Sequence, residues 1–173
     1  MLFSIQYHDR TGGERLEFLL TGPVQVGKTT VLTKALAARP LSLGGFTTRW
    51  AGDELRLRLL HNGTERTVAR RTEQGAAAIP HAFDRTAAEL RPGTVTLLDE
   101  LGFLEARSPA FTAAVLALMD RSPLVVAVVR QRADCPFWAH FAGRSALLLS
   151  VTEASRDGLP GHLIRLLDKA VAS

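Results

Sequence analysis

The chain has 173 residues, of which 46% are hydrophobic and 22% are charged, and its formal net charge is +4. This length suits a single domain, and the composition is that of a globular protein rather than a disordered one. No apolar stretch reaches the roughly 18 residues that a membrane-spanning helix needs, and the start of the chain lacks the pattern of a signal peptide. The single cysteine, Cys135, excludes an internal disulfide and favours the reducing cytoplasm.

The basic residues give little support to a nucleic-acid partner. Only three of the 21 are lysines, Lys28, Lys34 and Lys169, and the arginines are spread along the chain. Proteins that bind nucleic acid usually concentrate basic residues in a stripe or patch. We therefore expect neither a nucleic-acid nor a membrane partner, and the sequence does not identify a protein partner.

The first half of the chain predicts one strand–helix unit followed by antiparallel strands. Residues 16–20 are apolar and predict a buried strand, and a helix is predicted from residue 28 to about 38. Further strands are predicted at 46–50, 55–60 and 64–70, with a tight-turn sequence, HNG, between the last two. We interpret residues 46–70 as an antiparallel insertion. Residues 72–92 give no clear prediction.

The second half alternates strands and helices. Strands are predicted at 94–100, 123–129 and 146–151, and helices from 109 to about 120 and from about 159 onward. Ser108 suits the N-cap of the first of these helices, and Pro109 suits its first turn. The continuous apolar run at 123–129 is typical of a central parallel strand buried on both faces. The alternation predicts one α/β domain over residues 1–173, with a mostly parallel sheet flanked by helices.

One motif carries a specific chemical prediction. Residues 22–29, GPVQVGKT, fit the phosphate-binding pattern G-x-x-x-x-G-K-[ST] at every fixed position, between a predicted strand and a predicted helix. In such a loop the glycines let backbone N–H groups point at phosphate oxygens, the lysine contacts the β- and γ-phosphates, and the hydroxyl binds Mg²⁺. The predicted nucleotide-binding residues are Gly22, Pro23, Val24, Gln25, Val26, Gly27, Lys28, Thr29 and Thr30.

A second motif complements the first. The predicted strand at 94–100 ends in Asp99-Glu100, and an aspartate in this position next to a phosphate-binding loop is the usual Mg²⁺ ligand. We expect Asp99 and Thr29 to hold Mg²⁺, and Glu100 to orient the water that attacks the γ-phosphate. Such sites also place a cation where it stabilises the negative charge that develops on the phosphoryl group in the transition state. Arg130, which follows the predicted central strand, is our catalytic candidate, with Arg132, Arg144 and Arg156 as further possibilities.

Other chemistry-bearing residues support weaker interpretations. The five histidines do not occur in pairs with the spacing of helical metal ligands, so a structural zinc site is not expected. The aromatic residues Phe137, Trp138 and Phe141 have the spacing of a helix face packed on a core, which we favour over stacking on a nucleobase.

Longer segments of the chain resemble a known family. GPVQVGKTT, GGFTT, LLDELGFLEARSPAF and VTEASRDGLP occur in the order found in the small P-loop nucleoside-triphosphatase family related to the cancer-related nucleoside-triphosphatase. The resemblance spans residues 16–171. It implies a P-loop fold with a β insertion after the first helix, and slow Mg²⁺-dependent hydrolysis of ATP, GTP and other nucleoside triphosphates. It also implies that Arg156 lies near the nucleotide. The chain departs from the family's pattern at Arg49, Trp50 and Ser155.

Two alternatives share the same nucleotide site. A small-molecule kinase would transfer the γ-phosphate to a hydroxyl of a second substrate, but no compact R-x-x-R-x-x-x-R segment typical of a kinase lid is present. A nucleotide-dependent switch or assembly factor would bind nucleotide and retain only vestigial hydrolysis.

Overall fold

The computed structural model describes residues 15–37 and 40–172. The strands are β1 (Leu16–Thr21), β2 (Leu43–Ala51), β3 (Glu54–Leu59), β4 (Glu65–Thr72), β5 (Gly75–Ala78), β6 (Val95–Leu101), β7 (Leu124–Val129) and β8 (Leu147–Ser150). The helices are α1 (Lys28–Ala37), α2 (Ala82–Ala87), α3 (Pro109–Arg121), α4 (Phe137–Phe141) and α5 (Leu159–Ala172). None of these helices is long and apolar enough to span a membrane.

All eight strands form one sheet in the order β5-β4-β3-β2-β6-β7-β1-β8. The five strands from β2 to β8 in this order are parallel to one another, while β3, β4 and β5 add to β2 in antiparallel fashion. The predicted fold, a mostly parallel sheet flanked by helices with antiparallel strands after the first helix, is confirmed. Because parallel strands end at the same edge, the loops after β1, β6, β7 and β8 are neighbours.

The antiparallel part differs in extent from the predicted segment 46–70. Residues 43–47 of β2 pair in parallel with β6, whereas residues 46–51 pair with β3, so β2 belongs to both parts of the sheet. The antiparallel part also continues through β5 to residue 78. The sequence GAAA of β5 carries no alternation of polar and apolar residues, and backbone pairing with β4 alone makes it a strand.

The region 72–92, which gave no clear prediction, contains both β5 and α2. Helix α2 is only six residues long, and it is held by burial of its side chains rather than by helical propensity. Phe83 is 3% exposed and its ring lies 5.1 Å from that of Phe111 on α3. Tertiary packing therefore determines this segment.

The core lies on both faces of the sheet. Helices α1 and α5 cover one face, where Leu20, Leu32 and Leu163 pack, and α2, α3 and α4 cover the other. Strand β7 is buried along its whole length, as its continuous apolar sequence predicts. At the start of α3, Ser108 is the N-cap and its hydroxyl accepts a hydrogen bond from the N–H of Phe111, 3.0 Å away.

Candidate active site

The loop between β1 and α1 has a backbone that only particular residues allow. Gly22 has φ +152°, and a Cβ there would lie 2.4 Å from the carbonyl oxygen of Val151, so no larger residue fits. Gly27 has φ +104°, which also favours glycine. Within the loop, the N–H of Val26 donates to the carbonyl of Pro23 at 3.4 Å. The glycines predicted to permit the phosphate-binding conformation thus occupy positions that require them.

Lys28 spans this loop from its place at the start of α1. Its Nζ donates to the carbonyl oxygens of Gly22 and Pro23, each at 2.9 Å. The side chain is buried, and this burial lowers its pKa, while the neighbouring carboxylates of Glu100 and Asp99 act in the opposite direction. An ammonium has three donors, so one remains for an anion at the mouth of the loop.

The two residues predicted to hold a metal ion meet in the structure. Thr29 Oγ1 donates to Asp99 Oδ2 at 3.1 Å, although the two residues are 70 positions apart. Strand β6 carries Asp99 to the carboxyl edge of the sheet, next to the loop that follows β1. The Asp99 side chain is almost fully buried, and this burial raises its pKa to about 6.

This pair fits Mg²⁺ chemically. A buried carboxylate is costly without a compensating cation, and Mg²⁺ on a nucleotide takes one or two protein oxygens and fills its shell with phosphate oxygens and water. The part of the chain that the structure describes has no cluster of three or more histidine, cysteine, aspartate or glutamate side chains that could hold a metal by itself. The Thr29 hydroxyl and the Asp99 carboxylate therefore suit a metal brought by a polyphosphate.

Glu100 and Arg130 form the second pair of the site. Arg130 Nε donates to Glu100 Oε1 at 2.7 Å, and both side chains are partly exposed, at 41% and 26%. Strand β7 lies between β1 and β6, so Arg130 emerges between the phosphate-binding loop and Asp99. The predicted catalytic arginine thus contacts the predicted water-orienting carboxylate.

The other arginine candidates fall into different places. Arg132 is exposed and pairs with Asp134 at 2.7 Å. The structure corrects the interpretation of Arg144 as a catalytic candidate. This arginine binds Glu17 at the amino end of β1 and Asp120 near the end of α3, at the edge of the sheet opposite the phosphate-binding loop. Its position after α4 could not be assigned to an edge from the sequence alone.

Arg156 lies in the loop after β8, and its side chain is exposed. Its backbone N–H donates to the carbonyl of Thr152 at 2.9 Å. The same loop begins at Val151. The N–H of Val151 donates to the carbonyl of Thr21, and its carbonyl oxygen packs against Gly22. Arg156 is therefore on the nucleotide edge of the sheet.

Two supporting residues were not predicted as part of the site. Thr48, on β2, hydrogen-bonds the backbone between Asp99 and Glu100. Glu105 is 5% exposed, and its Oε2 accepts from the N–H of Gly102 at 3.0 Å, which fixes the turn after β6. In the sequence, Glu105 stood out only as part of a segment that resembles the family, and no local pattern indicated Thr48.

The aromatic cluster of α4 has the structural role that its spacing favours. Phe137 and Phe141 are buried in the core on the face shared with α3, with ring centroids 6.3 Å apart. The Nε1 of Trp138 donates to the carbonyl of Arg130 at 3.1 Å. Helix α4 therefore supports the end of β7 rather than offering a free stacking surface.

A parallel sheet whose first strand leads through a glycine-lysine loop into a helix, with an acidic strand end at the loop hydroxyl, defines the class of P-loop nucleotide-binding proteins. Within that class, a family model described as NTPase matches residues 17–164. The chain belongs to this family, and it is accordingly a nucleoside-triphosphate phosphohydrolase.

Individual relatives agree with this family. The chain is 30% identical over 188 aligned residues to the nucleoside-triphosphatase THEP1 of Thermofilum pendens (strain DSM 2475 / Hrk 5), covering 90% of this chain and 97% of the relative. The crystal structure of THEP1 from the hyperthermophile Aquifex aeolicus is similar with a TM-score of 0.74 and 21% identity, over 88% of this chain and 99% of that one. The solution structure of a human cancer-related nucleoside triphosphatase is similar with a TM-score of 0.72 and 19% identity, over 89% and 98%. The two structural similarities bear on the fold alone.

Proposed function

We propose that this enzyme hydrolyses ATP, GTP and other nucleoside triphosphates to the diphosphate and phosphate with Mg²⁺, in the cytoplasm. The observation that carries the proposal is the 3.1 Å contact between the Thr29 hydroxyl and the Asp99 carboxylate, made beside Lys28 and Glu100. This contact unites the two halves of a nucleotide–metal site from distant parts of the chain. The single cysteine, buried and unpaired, supports the reducing location.

The polyphosphate is bound by the loop and by Lys28. The loop from Gly22 to Thr30 offers backbone N–H groups, and α1 contributes the positive end of its dipole. The Lys28 ammonium, which bonds the Gly22 and Pro23 carbonyls, lies within the loop and has a donor left for the phosphate oxygens. Because these contacts are to phosphates and not to the base, they support broad tolerance of the nucleobase.

Thr29 and Asp99 would hold the Mg²⁺ ion. When bound, this ion neutralises charge on the β- and γ-phosphates. The Asp99 carboxylate is then stabilised in its charged form, which burial otherwise disfavours. The protein's contribution is the fixed spacing between the loop hydroxyl and the strand-end carboxylate.

Glu100 prepares the attacking water. A carboxylate adjacent to the metal ligand can accept a hydrogen bond from a water and take its proton at an Oε atom as the water attacks. Oε1 is occupied by Arg130 Nε, which leaves Oε2 for the water. Arg130 fixes the carboxylate and places a positive charge near the position where the γ-phosphoryl group develops negative charge.

A phosphate-release assay over the common triphosphates tests the proposal. We expect release that requires Mg²⁺ and no added acceptor, with similar rates for ATP, GTP, CTP and UTP. Lys28→Ala should lower kcat/KM by at least about 10²-fold, since it removes the charge on the transferring phosphates. Lys34→Ala is the matched control, because Lys34 lies on the exposed side of the same helix. Equal rates for the Lys28 and Lys34 variants would refute the proposal.

A further inference from the structure

A cavity of about 330 Å³ opens beside the catalytic carboxylate. Its walls come from α1, β2, β3, β5, β6, the turn after β6, and the end of β7. The lining residues that matter for its chemistry are Glu100, Arg130, Trp50, Phe103, Leu104 and Arg107. The cavity thus joins the reaction centre to an apolar and basic wall that the hydrolysis reaction does not use.

The cavity lies on the side from which a nucleophile must approach. Thr29 and Asp99 line the cavity, and no residue from 22 to 27 does. In phosphoryl transfer the attacking and leaving oxygens are in line. The leaving diphosphate is held by the phosphate-binding loop, so the attacking oxygen approaches from the opposite side, where this cavity lies.

The cavity is larger than hydrolysis requires. A single water takes about 30 Å³, whereas pockets that bind small molecules run from roughly 300 to 1,000 Å³. The cavity falls at the lower end of that range even though part of it faces the metal-binding pair. This volume has room for a γ-phosphoryl group and a compact second molecule.

The walls indicate the chemistry of that molecule. Trp50 is 36% exposed, and Phe103 and Leu104 are partly exposed. The Arg132 guanidinium lies 4.9 Å from the centre of the Phe103 ring and covers one face of it, so a ligand would meet the remaining surface of this apolar wall. The Arg71 guanidinium, which reaches across β3 from β4, lies 4.6 Å from the centre of the Trp50 ring and covers part of it. Arg107 is exposed and forms no ion pair with any residue that the structure describes, so it is available to an anion.

We propose that this cavity is a second substrate site, which binds a small aromatic acid bearing an aliphatic hydroxyl, and that the enzyme transfers the γ-phosphoryl group to that hydroxyl in competition with water. The aromatic ring packs against Trp50 and Phe103, and the carboxylate binds Arg107. The hydroxyl oxygen forms a bond to the γ-phosphorus as the bond from that phosphorus to the β–γ bridging oxygen breaks. The hydroxyl proton passes to Glu100, and the nucleoside diphosphate leaves with the bonding electrons. The inference rests on the proposed nucleotide site.

Label transfer from γ-³²P-ATP to 4-(hydroxymethyl)benzoate tests the proposal. We expect labelled phosphate ester to form with this probe, and none with 4-methylbenzoate, which lacks the hydroxyl. Trp50→Ala and Arg107→Ala should each lower ester formation by about tenfold or more, while phosphate release without acceptor stays within about twofold of the parent enzyme. Arg58→Ala is the matched control, since Arg58 is an exposed arginine on the opposite face of β3.

Binding is measured independently by tryptophan fluorescence, because the chain has only two tryptophans and one of them lines the cavity. The probe should change the emission of the parent enzyme, and Trp50→Phe should lose that change. Absence of both ester and fluorescence change would overturn the second site, and binding without ester would overturn the phosphoryl transfer. Loss of phosphate release in the parent enzyme would instead refute the nucleotide site, so the two failures are distinguishable.

Discussion

The hydroxyl of Thr48 accepts a hydrogen bond from the backbone N–H of Glu100 at 3.2 Å and donates to the carbonyl of Asp99 at 3.3 Å. One side chain on β2 thus bonds both the C=O and the N–H of the peptide between Asp99, the proposed metal ligand, and Glu100, the proposed catalytic carboxylate. The pairing of β2 with β6 sets this contact, because Thr47 is the register partner of Asp99. We conclude that Thr48 positions Glu100 without touching the reacting atoms.

Replacing this hydroxyl should impair catalysis more than binding. Thr48→Val keeps the shape but leaves the Glu100 N–H without its acceptor, an unmade hydrogen bond that costs about 1–3 kcal/mol. We expect kcat to fall by about tenfold and KM for ATP to change by less than about twofold. Steady-state kinetics of phosphate release give both values.

Thr48→Ser is the control for this prediction, since it retains the hydroxyl and removes one methyl group. It should recover most of the parent kcat. If Thr48→Val and Thr48→Ser are equally active, Thr48 contributes packing alone.

Features that depend on residues close in the sequence could be predicted, whereas contacts between residues distant in the sequence could not. The loop from Gly22 to Thr29 could be predicted because its chemistry depends on residues a fixed number of positions apart. Strand β7 could be predicted because burial on both faces requires a continuous apolar run. In contrast, the Thr48 contact joins residues 51 and 52 positions apart through strand register. No local pattern encodes it.

The same limit applies to segments whose structure comes from packing. Residues 75–78 form β5 without the alternation of a strand, and residues 82–87 form α2 in a stretch whose helical pattern is weak. Their conformations follow from pairing with β4 and from burial of Phe83 against α3. A single sequence shows which residues are apolar, but it does not show which distant surface they will meet.

Glu100→Gln should separate catalysis from nucleotide binding. The amide has nearly the same shape, but it cannot take a proton from water, so we expect kcat to fall by at least about 10²-fold. The dissociation constant for ATP, measured by calorimetry with Mg²⁺, should change by less than about threefold, because Lys28 and Thr29 are untouched. The matched control is Glu73→Gln, which neutralises an exposed carboxylate between β4 and β5. Parent-like turnover in Glu100→Gln would remove Glu100 from the mechanism.

Two arginines that the sequence offered as catalytic candidates should give opposite phenotypes. Arg144 binds the buried Glu17, which is 7% exposed, and it also contacts Asp120 at 3.0 Å. These carboxylates raise the pKa of Arg144 further above its ordinary value, with the Glu17 hydrogen bond as the largest cause. Arg144→Ala leaves Glu17 buried without its partner, so we expect a loss of about 3 kcal/mol in the free energy of unfolding and an unchanged kcat at a temperature where the variant is folded.

Arg130→Ala should show the reverse. Its pair with Glu100 is partly exposed, so its removal should cost less than about 1 kcal/mol of stability. Because the proposed mechanism places the Arg130 cation beside the reacting phosphate, its loss should lower kcat by about 10²-fold. Urea unfolding and phosphate release on the same two preparations measure both effects. A fall in turnover for Arg144→Ala as large as that for Arg130→Ala would contradict the assignment of Arg144 to the structural edge.

The buried carboxyl of Glu105 predicts a pH dependence of stability. Burial raises its pKa from the ordinary 4.5 to about 7, and hydrogen bonds from its own N–H and that of Gly102 oppose this increase only in part. Below pH of about 4.5 the group is protonated in both the folded and the unfolded chain. Between pH 4.5 and 7 the unfolded chain releases the proton first, so the free energy of unfolding falls as the pH rises through this window.

Glu105→Gln should remove this part of the pH dependence, because the amide stays neutral and its oxygen can still accept from the N–H of Gly102. Relative to the parent enzyme, the variant should have equal stability near pH 4.5 and should be more stable at pH 8, by as much as about 3 kcal/mol. Urea unfolding at both pH values measures the difference, with Glu73→Gln as the exposed control. If Glu105→Gln differs from the parent by the same amount at both pH values, the folded chain does not hold a proton on Glu105. The turn at Gly102 would then be fixed by a charged carboxylate.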